Sequence, residues 1–183
     1  LGFDPIRQGV PTLLEALKRG GYYTGILAKV SHVVPSRGSN WDVVVRANQL
    51  KTGRDPKLYH AHTARFLKQA AESGRPFFLM ANSQDPHRPF AGSNQERNRK
   101  LKNTKRRKGQ KKGAKPKQVF PPIPRTFTAK EIPVPGFLPD LPSIRQELSE
   151  YYASVHRADQ IVGGVLRALD EAGVRDKTLV LFL

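Results

Sequence analysis

The sequence predicts an α/β chain, with helices flanking a layered sheet and one strongly basic insert. Three observations carry that expectation. Capped helical patterns alternate with short apolar runs: a helix closing at Gly20-Gly21, the run Tyr22–Ala28, a helix from Asp55, and the run Pro76–Ala81. A long amphipathic pattern, Ser143–Ala172, leads into a last apolar run, Thr178–Leu183. Between these parts, Asn94–Gln118 holds twelve Lys/Arg against a single acid.

The first helix is expected over Val10–Arg19. Thr12 and Glu15 fit a capping box, in which hydroxyl and carboxylate satisfy opposite free backbone donors. Leu13, Leu14 and Leu17 form its expected apolar face, and Lys18 and Arg19 suit the negative end of the helix dipole. The strand Tyr22–Ala28 follows, leaving through Lys29-Val-Ser-His32. A loop over Pro35–Asn40 leads to Trp41-Asp42-Val-Val-Val45. Asp55 then caps a helix with Pro56 in its first turn, running to about Ser73. Leu58, His62, Phe66, Leu67 and Ala70 mark its expected buried side.

Pro76–Ala81 is short, apolar and aromatic-rich, and turn formers follow it, so it reads as a buried strand. Past its carboxyl end, His87 and Arg88 lie between Pro86 and Pro89, each of which fixes its own φ. Open α/β sheets place ligand chemistry at such exits.

Asn94–Gln118 has too few apolar residues to offset the entropy of ordering, so disorder is expected there. The proline-rich stretch that follows reads as an extended surface segment, with Phe120, Phe127 and Phe137 as anchors. In the long helix, Ser143 and Gln146 fit a capping box. Leu148, Tyr152, Val155, Asp159, Val162, Leu166 and Leu169 step by three and four, with Asp159 as a buried polar exception. Gly163 and Gly164 each cost about 1 kcal/mol relative to alanine in a helix, so a close neighbour is expected there. Residues 1–93, 94–118 and 119–183 are thus the first part of one domain, a basic insert, and the remainder of that domain.

The 183 residues carry a net charge of +17, and the insert supplies most of it. There is no cysteine, which excludes disulfides, thiolate metal sites and a cysteine nucleophile. No stretch reaches the ~18 apolar residues of a membrane span. The chain begins at Leu1 without an initiator Met or leader and stops inside an apolar run, so an internal fragment is expected.

Two strand exits carry reactive groups, Lys29 with His32 and His87. One rim holding all three would make an oxyanion site, with a cation to balance charge and imidazoles to move protons. The alternative is a surface lysine and two ordinary loop histidines. His60 and His62 stand two apart on a helix and point away from each other, which argues against a metal pair. Trp41 and Asp42 suit either a sugar pocket or simple packing.

Gly20-Gly-Tyr-Tyr-Thr-Gly-Ile-Leu-Ala-Lys-Val-Ser-His32 resembles the sulfatase segment in which Gly-Tyr, Thr and Lys precede a histidine. The Lys-x-x-His spacing is more similar to the iduronate-2-sulfatase and heparan N-sulfatase branch than to common arylsulfatases. Pro76–Leu79 with Asp85-Pro-His-Arg-Pro89 resembles the second sulfatase signature. Ile132–Asp140, Glu150-Tyr-Tyr152, Asp159, Gly163 and Asp176–Val180 resemble the stretch leading to the last metal-binding strand. The resemblance covers nearly everything except the basic insert.

The resemblance implies an alkaline-phosphatase-like fold and hydrolysis of sulfate esters or sulfamates. It also implies a formylglycine made from Cys or Ser, a bound Ca2+, and a periplasmic or extracellular location. Lys29 would contact the sulfate and the formylglycine. His32 would hold the formylglycine hydroxyl. His87 would bind sulfate or protonate the leaving group, with Arg88, Trp41 and Asp42 as further substrate contacts. The paired calcium-binding aspartates, the Cys/Ser-x-Pro-Ser-Arg motif and a second lysine are missing. Val33-Val-Pro-Ser-Arg37 mimics only the tail of that motif. The fragment alone is therefore expected to be inactive. Two alternatives stay open: a phosphatase or phosphodiesterase relative on the same fold, and a polyanion-binding protein acting through residues 94–118.

Overall fold

A computed structural model of the chain describes residues 9–33, 40–98 and 120–183. The motif mimic at Pro35–Arg37 and most of the basic insert lie outside these residues. Three parallel strands form a sheet in the order β2-β1-β3, with β1 at Tyr23–Leu27, β2 at Val43–Val45 and β3 at Phe77–Ala81. Five α-helical segments accompany it: α1 (Leu13–Arg19), α2 (Val30–Val33), α3 (Pro56–Glu72), α4 (residues 94–98) and α5 (Pro142–Glu171). The α/β expectation is met.

Side chains alternate across the sheet, as the two-residue strand period requires. Tyr23, Leu27, Val43, Val45, Phe77 and Leu79 face α3 and α5. Tyr59 and Ile161 share one cluster of that layer, and Phe66, Leu67, Ala168 and Leu169 share the next, so the two helices run side by side in the same direction. Gly25 permits the close approach of α3: a Cβ there would stand 2.5 Å from Phe66. On the other face Trp41 stacks on Phe78 with centroids 6.1 Å apart.

Two local capping signals proved accurate. Thr12 and Glu15 form the capping box, and the Asp55 carboxylate accepts from the N–H groups of Lys57 and Leu58. Other expectations need correction. The buried strand is β1, from Thr24 onward, whereas β3 is half-buried because only β1 pairs with it among the described residues. No residue of α1 is buried, and Leu13 is exposed. On α3, Tyr59 and Thr63 take the buried positions assigned to Leu58 and His62. Helix α5 is capped at Leu141 with Pro142 in its first turn, and no Ser143 cap forms. Its buried face is rotated to Ser149, Ala153, Ser154, Arg157, Ile161 and Ala168, leaving Asp159 and Val155 exposed.

The disorder expected over residues 94–118 is not found over 94–98, and the rest of that stretch lies outside the described residues. Residues 94–98 are helical, the Ser93 hydroxyl accepts from the Glu96 N–H, and Glu96 is buried. Residues 178–183 join no strand, and their side chains from Leu179 onward are exposed. Among the described residues, no helix is long and apolar enough to cross a membrane.

Candidate active site

Strands β1 and β3 are parallel neighbours in the register Leu27↔Ala81, so their carboxyl ends share one edge of the sheet. The Lys29/His32 exit and the His87 loop leave from that edge. They are also joined directly. The Asn82 N–H continues the ladder to the Leu27 carbonyl, and Asn82 Nδ2 donates to the carbonyls of Leu27 at 3.1 Å and Ala28 at 3.4 Å.

The β1 exit is a sharp turn. Ala28 and Lys29 both adopt left-handed backbone angles, φ 56° and 45°, which cost non-glycine residues about 1–2 kcal/mol each. Such strain persists only where the surroundings enforce it, and it clusters at functional sites. Here the Ala28 N–H is held by the Val45 carbonyl. The turn leads at once into α2, where His32 is exposed and donates its N–H to the Lys29 carbonyl at 2.9 Å.

Lys51-Thr-Gly53 is a third component of this rim, which the sequence reading missed. All three residues have positive φ, and a Cβ on Gly53 would lie 3.3 Å from Gln84 Cβ and 3.5 Å from Ala28 Cβ. The turn thus lies between the two exits. Gln84 donates its N–H to the Gly53 carbonyl, and the buried Tyr59 hydroxyl reaches the carbonyls of Gly53 and Asn82. Burial and the nearby Asp85 charge, opposed by Arg54, push the Tyr59 pKa up, so its hydroxyl remains a donor.

The next loop presents His87 to solvent. His87 Nδ1 lies 2.6 Å from the Arg88 carbonyl. A carbonyl only accepts, so Nδ1 carries the hydrogen there and Nε2 is the basic nitrogen of the neutral ring. Arg88 pairs with Glu147 and lies over the Phe90 ring at 4.4 Å.

Beneath the loop is a buried charge cluster. Asp85 receives Arg54 Nε at 2.8 Å on Oδ1, Arg157 Nη2 at 3.0 Å on the same oxygen, and Arg157 Nε on Oδ2. Arg157 Nη1 lies 3.7 Å from Glu96 Oε1. The sequence reading overlooked this cluster. Arg157 lies away from the expected apolar stripe of α5, where a charge reads as solvent-facing, so no local pattern signals the cluster.

Trp41 and Asp42 are not brought to this rim. Asp42 precedes β2 and accepts from the N–H and hydroxyl of Thr24 near the start of β1, at the opposite edge of the sheet. Its other partners there are Lys18 and Arg75. Trp41 is buried against Phe78. The structure therefore assigns both residues to packing and sheet registry. His60 pairs with Glu171 across the helix layer. A cavity of about 500 Å³ lined by Ala64, Leu67, Phe77 and Ala168 lies at the same far edge as Asp42.

A model of the sulfatase family matches residues 2–183. The chain belongs to the sulfatase family. It is 33% identical over 188 aligned positions to human N-sulphoglucosamine sulphohydrolase, an alignment that covers 98% of this chain and 34% of that relative. The chain thus spans about a third of the length of the curated relative it matches. Among the described residues of this sulfatase chain, no group of three or more His, Asp or Glu could hold a metal ion.

Proposed function

We propose that the protein is a hydrolase that releases sulfate from a sulfated carbohydrate, as an ester or a sulfamate. The observation that carries this reading is the shared carboxyl edge of β1 and β3, from which Lys29, His32 and His87 all emerge. The Lys29 ammonium balances the sulfate charge. His32 supplies an imidazole at the same rim, and His87 contacts the sulfate or gives a proton to the departing oxygen or nitrogen. Arg88 is a further contact at the same rim. The name of the human relative favours an N-sulfated glucosamine as substrate.

Sulfatase family membership implies formylglycine and Ca2+. The residues of this chain fit neither group: Val33 stands where the Cys/Ser-x-Pro-Ser-Arg motif needs Cys or Ser, and its described residues hold no metal-ligating cluster. No step is therefore assigned through them, and the 183 residues by themselves are expected not to turn over substrate. The twelve basic residues of the stretch 94–118 suit the attraction of a polyanionic glycan, through counterion release. A periplasmic or extracellular location is consistent with such a substrate.

The test is sulfate release by the full-length protein from an N-sulfated glucosaminide and from 4-nitrophenyl sulfate, with phenyl phosphate alongside. Release from either sulfate compound supports the reading. Faster cleavage of the phosphate would favour a phosphatase relative, and turnover of 4-nitrophenyl sulfate by the isolated 183 residues would overturn their expected inactivity.

A further inference from the structure

We propose that Arg54 is a positioning residue for His87, and that the buried cluster around Asp85 exists chiefly to hold that histidine's loop in place. The proposal rests on the reading of His87 as a group that meets the sulfate or the leaving group.

His87 is exposed, so its own side-chain packing does not fix it. Its backbone N–H donates to the Gln84 carbonyl at 2.9 Å, and its carbonyl is held by a guanidinium. Arg54 donates from Nε to Asp85 Oδ1 at 2.8 Å and from Nη2 to the His87 carbonyl at 2.8 Å. It thus spans residues 85 and 87 and leaves only Pro86 between its anchor points. Its side chain is 3% exposed, and the Phe120 ring covers the guanidinium at 5.5 Å. Arg157 grips Asp85 from the other side and reaches Glu96.

Energetics favour a positional role over a stabilising one. Two arginines and two carboxylates are buried together, and such clusters add little net stability relative to well-packed apolar side chains, because desolvation offsets the attraction. A buried cluster does supply direction. The planar fork of arginine fixes two acceptors at once, whereas a lysine is a single flexible point charge. The loop is also tied by Gln84 to Gly53, one residue before Arg54, so the same turn supplies the clamp and contacts the β1 exit.

The experiment compares Arg54→Lys, His87→Ala and the double variant in the full-length protein, using sulfate release and thermal unfolding. Arg54→Lys is expected to stay folded and to lower kcat/KM about tenfold, since misplacing a reacting group by about 1 Å costs up to about 100-fold. In the His87→Ala background the same change is expected to cost less than twofold, because Arg54 then has nothing left to position. An equal loss in both backgrounds, or no loss in the wild-type background, overturns the positioning role. Wild-type activity in His87→Ala alone overturns the underlying reading of His87 and the positioning role with it. Should Arg54→Lys fail to fold, Phe120→Leu carries the test. It keeps every charge and removes only the ring over Arg54. A loss of two- to threefold that disappears in the His87→Ala background supports the proposal; an equal loss in both backgrounds, or none, overturns it.

Discussion

Gly164 of α5 lies directly against the carbonyl oxygen of Pro56 at the start of α3: a Cβ on Gly164 would stand 2.9 Å from it. The adjacent Gly163 has nothing within 4 Å of the same position. The sequence treats the two glycines alike, and the structure separates them. Gly164→Ala is expected to destabilise by about 1–3 kcal/mol through overpacking against backbone, less about 1 kcal/mol of helix propensity gained. Gly163→Ala gains the propensity without the clash and is expected to stabilise by up to about 1 kcal/mol. Urea unfolding of the two variants should move the midpoint in opposite directions.

Gly25 has the corresponding role in the sheet. A Cβ there would come within 2.5 Å of the Phe66 ring and 3.0 Å of Leu79. Phe66 is fully buried and wedged between Tyr23 and Phe77, with ring centroids 5.4 and 6.0 Å away, so it has no room to withdraw. Gly25→Ala is expected to cost about 1–3 kcal/mol. An unchanged unfolding midpoint would show that α3 can lift from β1.

These contrasts show what was legible in the sequence. The Thr12/Glu15 box and the Asp55 cap depend on neighbours within three residues, so pattern alone places them. That Lys29, His32 and His87 lie past strand ends was also legible, because a lysine and histidines past apolar runs stand out. The buried face of α5 was not. It is set by Arg157 and Ser154, and their partners Asp85 and Ala91 lie more than sixty residues away. A hydrophobicity pattern counts such polar groups as exposed, which rotates the expected stripe towards Asp159. Trp41 and Asp42 stayed open between a sugar pocket and packing for a related reason. Which edge of the sheet they occupy follows from the Gly25↔Val43 register, and a sequence pattern does not encode that register.

The helical start of the basic insert changes how its role should be tested. Glu96 is buried beside Arg157, and Phe120 covers Arg54, so removing either would disturb the cluster under His87. Replacing residues 99–118 with neutral Gly/Ser of equal length keeps both. This variant is expected to retain the wild-type melting temperature while its heparin affinity at low salt falls more than tenfold and its salt dependence flattens. Heparin binding that survives with an unchanged salt slope would exclude the insert as the polyanion contact.

Asp42 should give the fold a distinct acid limb. Its partial burial works to raise the pKa, but the Thr24 hydroxyl and N–H, Lys18 and Arg75 together outweigh it and hold the carboxyl well below the usual carboxylate range. The contacts are short: 2.7 and 2.8 Å to Thr24, 3.1 Å to Lys18 and 3.2 Å to Arg75. A carboxylate whose pKa is depressed on folding binds its proton more readily in the unfolded chain. Its stabilising contribution is therefore full above the unfolded value of about 4 and is lost as pH falls towards the folded value. Solvent screens much of the attraction at this partly exposed site, so Asp42→Asn is expected to cost only about 1 kcal/mol at pH 7. The gap between wild type and variant should then narrow steadily below about pH 4, because protonation removes from the wild type the same charge that the substitution removes. Urea unfolding of both proteins between pH 7 and pH 2.5 measures it. A gap that stays constant across that range would show that the amide disrupts the start of β1 sterically and that the Asp42 charge contributes nothing.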